Sequence, residues 1–236
     1  MSSGARKEYL AALGLDDWRL RAPTAAAVIE PPAHQAPAVA ALAAAAAPRE
    51  AAHGWDQLRE RVAACTRCSL SATRTQTVFG VGELNAHWLV VGEAPGAEED
   101  RQGEPFVGRA GQLLNSMLRA IGLAREQVYI ANVLKCRPPQ NRDPAAGEVL
   151  ECLPFLERQI ALVRPRIMLV VGRIAAQNLL RTDTAIGKLR QQVHFFGAAR
   201  VPLVVTYHPA YLLRAPLEKR KAWQDMKFAR EVLARG

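Results

Sequence analysis

An α/β fold built on a parallel sheet is what this sequence predicts, and three observations carry the prediction. First, four short apolar runs rich in β-branched residues occur in order: HWLVVG (87–92), VYIANVL (128–134), IMLVVG (167–172) and VPLVVTY (201–207). Strands buried on both faces read this way. Second, the stretches AGQLLNSMLRAIG (110–122), PAAGEVLECLPFLERQIALV (144–163) and IAAQNLLR (174–181) have apolar residues at helical spacing and fall between those runs. Strands alternating with helices imply parallel pairing and right-handed crossovers. The expected architecture is three layers, α/β/α, around a four-stranded parallel sheet. Third, chemically distinctive residues gather at the strand ends. Gly-Glu-Ala-Pro-Gly ends the first run, Asn132 lies late in the second, Gly172 closes the third, and His208-Pro209 follows the fourth. In open parallel sheets ligands bind outside the carboxyl ends of the strands, so these four stretches point at one crevice.

The flanking regions divide the 236-residue chain. Residues 22–54 hold 16 alanines and five prolines. The alanines favour helix, while the prolines interrupt it, and the stretch reads as a tether. Ahead of it, residues 1–21 contain a dense apolar set (Tyr9, Leu10, Leu13, Leu15, Trp18, Leu20) that reads either as a short docking motif or as a helix folded onto the body. Residues 55–236 form the folded domain. No apolar run approaches the roughly 20 residues that span a bilayer, and the N-terminus lacks the continuous apolar core of a secretory signal. A cytoplasmic, monomeric protein with no membrane partner is expected. The formal net charge is +9, which favours nucleic acid as a partner because Lys and Arg neutralise phosphates.

Four cysteines are present: the CxxC pair Cys65 and Cys68, then Cys136 and Cys152. Structural disulfides are disfavoured in a cytoplasmic protein, and four thiolates can ligate zinc or an iron–sulfur cluster. A redox dithiol and a simple buried core thiol at Cys152 are the competing readings, and spacing does not choose between zinc and iron.

The turn GEAPG is no phosphate loop. It lacks both the Gly-x-Gly-x-x-Gly spacing and the Gly-Lys-Ser/Thr signature, and Pro95 removes a backbone donor. Glu93, Glu98, Glu99 and Asp100 would repel phosphate. The crevice therefore suits a neutral or hydrogen-bond-donating ligand, against the plainer reading of a tight turn with solvated acids. Phe106 offers an aromatic face, Asn132 an amide that complements an imide edge, and His208 a donor toward developing negative charge. Each also has an ordinary structural reading, as core, turn residue and helix cap.

The blocks CTRCSL, VVGEAPGAEEDRQGEPFVGRAGQLL, ANVLKCRPPQNRDP, ECLPFL and TYHPAYLLR resemble the family 4, iron–sulfur branch of the uracil-DNA glycosylases, from about Trp55 to Gly236. The resemblance implies the fold of that superfamily and excision of uracil from DNA by hydrolysis of its N-glycosidic bond. It implies one [4Fe-4S] cluster on Cys65, Cys68, Cys136 and Cys152. It implies a uracil site formed by Gly92, Glu93, Ala94, Gly96, Phe106, Asn132 and His208, with Glu93, Asn132 and His208 in catalytic roles. It also implies a DNA-contacting segment including Leu212, Leu213 and Arg214, in which Leu212 or Leu213 fills the space left by the flipped base. Family 1 enzymes carry Asp and Tyr where this chain has Ala94 and Gly96, so the water-positioning group is left to Glu93 or, less favoured, Glu99. A related branch traps uracil on a histidine in an inserted loop. The segment RPPQNRDPAAGEV (137–149) has no histidine, and turnover is expected. The N-terminal YLAALGLDDWRLR is similar to the opening peptide of the psi subunit of a replicative clamp loader, which implies a clamp-loader contact through residues 6–21. The competing function is a non-catalytic, polymerase-associated nucleic-acid-binding module that keeps the fold and the cluster.

Overall fold

The structure is a computed structural model that describes residues 54–235. The docking reading of residues 6–21, and nearly all of the tether, lie outside the described residues.

The expected sheet is there and is larger than expected. It has six strands: β1 (Val81–Gly82), β2 (Trp88–Gly92), β3 (Tyr129–Asn132), β4 (Ile167–Val171), β5 (His194–Phe196) and β6 (Val201–Thr206). They are ordered β1-β3-β2-β4-β6-β5. The four central strands are the four apolar runs, and they pair in parallel. The expectation of four strands is corrected by β1 and β5, which add antiparallel to the two edges. Both are too short, and too little buried, for a clear strand pattern. β1 is a two-residue piece containing Gly82 at φ +120°, where a side chain would collide with the Val128 carbonyl. β5 is only half-buried.

Eight α-helices flank these strands among the described residues. They are α1 (54–63), α2 (Ala97–Gln102), α3 (Arg109–Ala120), α4 (Ala146–Val163), α5 (Arg173–Leu180), α6 (Ile186–Leu189), α7 (Pro209–Arg214) and α8 (Lys219–Arg235). The pleat sends alternate strand residues to opposite faces. Leu89, Val91, Met168, Val170, Leu203 and Val205 join one core with Leu156 and Ile160 of α4 and Leu58 and Val62 of α1. Trp88, Val90, Ile130, Leu169 and Val204 join a second core with Leu114 and Leu118 of α3 and Met226 of α8. Each fully buried Val, Leu or Ile contributes about 1.5–3 kcal/mol. With both faces filled, the strands are anchored rigidly, and the polar residues at their carboxyl ends are the exceptions that need a reason. No helix among the described residues is long and apolar enough to cross a membrane.

Beyond Asn132 the chain continues beside the end of β2. Val133 N–H donates to the Gly92 carbonyl at 2.9 Å and Leu134 N–H to the Glu93 carbonyl at 3.0 Å. This pairing fixes the GEAPG turn against the end of β3.

Candidate active site and cysteine pocket

A cleft of about 440 Å³ opens at the carboxyl ends of the parallel strands. Glu93, Ala94, Gly96, Phe106, Asn132, His208 and Arg214 line it, together with Arg142, Asp143 and Tyr211. The strand ends thus meet where the sequence pointed. A larger, mainly apolar cavity of about 860 Å³ lies by Pro165 and Arg166 before β4 and Val201 and Pro202 in β6. The functional groups named above do not line it, and polar groups that converge are what fix a ligand's orientation.

Gly92 and Asn132 are register partners across β2 and β3. A Cβ on Gly92 would collide with Asn132 Oδ1 and come within 2.7 Å of Phe106 Cζ. Only a glycine leaves room for both side chains. Asn132 is 2% exposed, and its Oδ1 has no hydrogen-bond partner among the described residues. An unpaired buried acceptor costs about 1–3 kcal/mol, and such groups are rare enough to require explanation. A ligand donor reaching this oxygen would remove the cost.

Phe106 is buried and takes φ +55°, a conformation that costs a non-glycine residue about 1–2 kcal/mol. Its loop is clamped from two sides. Arg125 donates to the carbonyls of Pro105 at 2.6 Å and Phe106 at 3.3 Å. Glu99 Oε1 accepts from the N–H groups of Val107 at 3.1 Å and Gly108 at 3.2 Å. Gly111 permits the close approach, since a Cβ there would strike the Phe106 carbonyl. The Phe106 ring lies 5.6 Å from the His208 ring at 31°.

The four acids of the turn separate into distinct jobs. Asp100 is buried and accepts from Thr75 N–H at 3.0 and 3.1 Å. Glu98 pairs with Arg101 on the surface. Glu99 holds the Phe106 loop, and a Cβ on Gly96 would approach its Oε2 to 2.7 Å. Glu93 is the acid with no such structural bond, and it faces the cleft. Burial pushes its carboxyl up to about 7; nearby Asp143 adds to the rise, and Arg173 opposes it.

His208 is the N-cap of α7, and its Nδ1 accepts from Ala210 N–H at 3.1 Å. The cap reading and the donor reading are therefore the same geometry. With Nδ1 accepting, the ring proton is on Nε2. Burial pulls the imidazole down to about 4, Arg214 pushes the same way, and Glu99 opposes. The ring is neutral at pH 7 and offers an Nε2–H donor. Gly172, at φ +101°, makes room for it, since a Cβ there would sit 3.1 Å from His208 Cβ.

Downstream, Leu212 is 1% exposed, and it faces a groove shared with Ala222 and Met226 of α8. Folding of α7 turns it inward, whereas its neighbour Leu213 is 38% exposed.

The four cysteines, separated by up to 87 positions in sequence, line one pocket with Val62, Arg74, Lys135 and Phe155. Among the described residues no three His, Cys, Asp or Glu side chains are gathered tightly enough for one metal ion. Arg74 Nη1 donates to Cys136 Sγ at 3.1 Å and Lys135 N–H to Cys152 Sγ at 3.2 Å. Burial pushes the Cys152 thiol up to about 11, against the pull of Lys135. A thiol so raised is a poor redox nucleophile. Four sulfurs line this pocket, and a guanidinium and a backbone N–H reach two of them; cysteine sulfur is the ligand type of both zinc and iron–sulfur sites.

Sequence reading missed Arg125, Gly111 and Lys135, and it placed Gly172 at the crevice without the reason, which is room for His208. No motif marks Arg125, which lies about 20 residues from the loop it pins. Lys135 had a signal that went unused, its place beside Cys136.

A family model described as the uracil DNA glycosylase superfamily matches residues 79–227. The chain is 44% identical over 178 residues to a type-4 uracil-DNA glycosylase of Archaeoglobus fulgidus, covering 73% of this chain and 89% of that one. It is 45% identical over 157 residues to the type-4 enzyme of Thermotoga maritima, covering 66% and 81%. To a type-5 uracil-DNA glycosylase of Pyrobaculum aerophilum it is 31% identical over 191 residues, covering 67% and 84%. The matched span takes in the whole sheet and the cleft at its carboxyl edge, and on that ground the chain belongs to the uracil-DNA glycosylase superfamily.

Proposed function

We infer that this protein is a DNA repair enzyme that flips uracil out of DNA and hydrolyses its N-glycosidic bond, leaving an abasic site. The observation that carries this reading is the buried, unpartnered Oδ1 of Asn132 beside the Phe106 ring and the neutral His208. Uracil's N3–H is a donor for that oxygen, its plane stacks on Phe106, and its O2 accepts from His208 Nε2–H. Extrusion costs a few kcal/mol, which stacking and the amide pair recover in part. The bond then breaks toward a sugar cation and a uracil anion. The preorganised His208 donor lies where that negative charge develops, and water adds to the sugar carbon. Since Glu99 is committed to its loop, Glu93 is the group proposed to hold the water. Leu213 fills the vacated stack, and Arg214 meets a phosphate.

The test is release of uracil from a uracil-containing oligonucleotide in single turnover. Asn132→Ala is expected to lower the rate by at least about 10²-fold, through lost orientation. An unchanged rate would overturn the assignment. Binding of the oligonucleotide by the wild type with no release of uracil would instead favour the binding-module reading.

Glu93 supplies a pH signature. Its protonated form favours the folded state, so that contribution is full below 4.5 and lost as pH rises through about 7. Its carboxylate, the form that can hold water, accumulates over the same interval. The wild-type rate is expected to rise through neutrality, while Glu93→Gln is low and flat. A Gln variant with the wild-type profile would remove Glu93 from the mechanism.

The cysteine pocket is proposed to hold one [4Fe-4S] cluster on Cys65, Cys68, Cys136 and Cys152. When bound, such a group supplies a cross-link between the segment before β2 and helix α4, which adds its binding energy to folding. The purified protein is expected to be brown and to contain iron and acid-labile sulfide. Cys152→Ser is expected to lose colour and unfold at lower temperature. Stoichiometric zinc without iron would refute the assignment.

A further inference from the structure

Lys135 is 1% exposed and is among the largest fully buried side chains of the described residues. Its ammonium donates to the Asn132 carbonyl at 2.7 Å and to Gln159 Oε1 at 2.6 Å. Gln159 cannot turn away, because its own amide donates to the Phe79 carbonyl at 2.8 Å and to Tyr129 Oη at 3.2 Å. The Lys135 backbone N–H donates to Cys152 Sγ, and the next residue is Cys136. Among the described residues Lys135 belongs to no ion pair with a carboxylate. Both oxygens on its ammonium are neutral. One residue therefore touches both sites, with its backbone on the cysteine pocket and its side chain on the strand end that presents the base-reading amide.

We propose that Lys135 is a positioning residue that couples occupancy of the four-cysteine pocket to the aim of Asn132 in the uracil cleft. The proposal rests on the iron–sulfur and uracil readings given above. With the cysteine pocket filled, Cys152 Sγ holds the Lys135 backbone in place and the ammonium holds the Asn132 carbonyl, so the Oδ1 stays directed into the cleft. With the pocket empty, the Lys135 backbone loses a fixed partner, and the end of β3 is held less firmly. Coupling between two sites is reciprocal. A ligand that needs Asn132 in place must in turn stabilise the loaded cysteine pocket.

The experiment measures iron loss from the full-length holoprotein to a chelator, with and without saturating free uracil, followed by visible absorbance. Wild type is expected to lose iron on the order of fivefold more slowly when uracil is bound. Lys135→Met, which keeps length and removes the ammonium, is expected to bring that ratio close to one and to weaken uracil binding. Lys135→Gln, a milder neutral change, serves if the Met variant does not fold, and the same fall in the ratio is expected. Equal rates with and without uracil in the wild type overturn the coupling, and this arm needs no variant. A wild-type ratio preserved in either variant removes Lys135 from it. Absence of iron in the wild type sinks the cofactor reading instead, and failure of the wild type to bind uracil sinks the site reading, so the three failures are distinguishable.

Discussion

His208→Ala is expected to lower the single-turnover rate of uracil release by roughly 10²–10³-fold, the usual cost of removing one preorganised donor from a developing anion. The ring is already fixed. Its Nδ1 is occupied by Ala210 N–H, so Nε2–H is the free donor, and burial keeps the imidazole neutral. A neutral donor needs no proton from solvent, and the His208-dependent part of the rate should be insensitive to pH from about 4 upward. The same shift has a stability consequence whose sign follows from linkage. A histidine whose folded value is depressed to about 4 from 6.5 contributes stability above 6.5, and that contribution is lost as pH falls toward 4. Wild type should therefore lose stability across that interval more steeply than His208→Ala. At neutral pH the variant pays separately for the lost N-cap, at about 1 kcal/mol. Denaturant titrations at two pH values, alongside the rate measurement, separate the chemical loss from the structural one. A variant that retains the wild-type rate would show that His208 only caps α7.

Gly92→Ala is expected to be nearly as damaging, although the added methyl carries no chemistry. The new Cβ would collide with Asn132 Oδ1 and lie 2.7 and 2.8 Å from Phe106 Cζ and Cε2. Neither neighbour can yield freely. Asn132 is fixed by the sheet register and by Lys135, and the Phe106 loop is held by Arg125 and Glu99. Overpacking of this kind typically costs about 1–3 kcal/mol of stability. The rate should fall further, by about 10²-fold, because displacement of a positioning group by about 1 Å has that effect. Gly92→Ala combined with Phe106→Leu should regain part of the stability without regaining the rate, since the smaller side chain relieves the contacts with the ring but not the one with Asn132 Oδ1, and removes the stacking face. An alanine variant with wild-type stability and rate would show that the strand ends are softer than their burial implies.

Much of the site was legible before the chain was folded because its residues sit at the ends of apolar runs. Such runs identify buried strands, and the carboxyl ends of parallel strands converge. Gly92, Glu93, Asn132 and His208 could therefore be assigned to one crevice from local pattern alone. What lay hidden was held by contacts distant in sequence. Arg125 pins a loop 20 residues away. Glu99 was visible as an acid, and its bonds to Val107 and Gly108 were not. The edge strands β1 and β5 have too few buried residues to leave a periodic signal. Leu212 and Leu213 are adjacent and chemically identical, and the direction in which α7 turns decides which one faces solvent.

The sequence by itself determined the central parallel strands, the crevice at their ends and the four sulfurs, because hydrophobic periodicity and residue chemistry are local properties. The tertiary structure alone decided which acid is free and which is a clamp, that His208 is packed against Phe106, and that Lys135 reaches from the cysteine pocket to the end of β3. Those outcomes depend on burial and on hydrogen bonds between segments far apart in the chain, and neither exists until the strands and helices have packed.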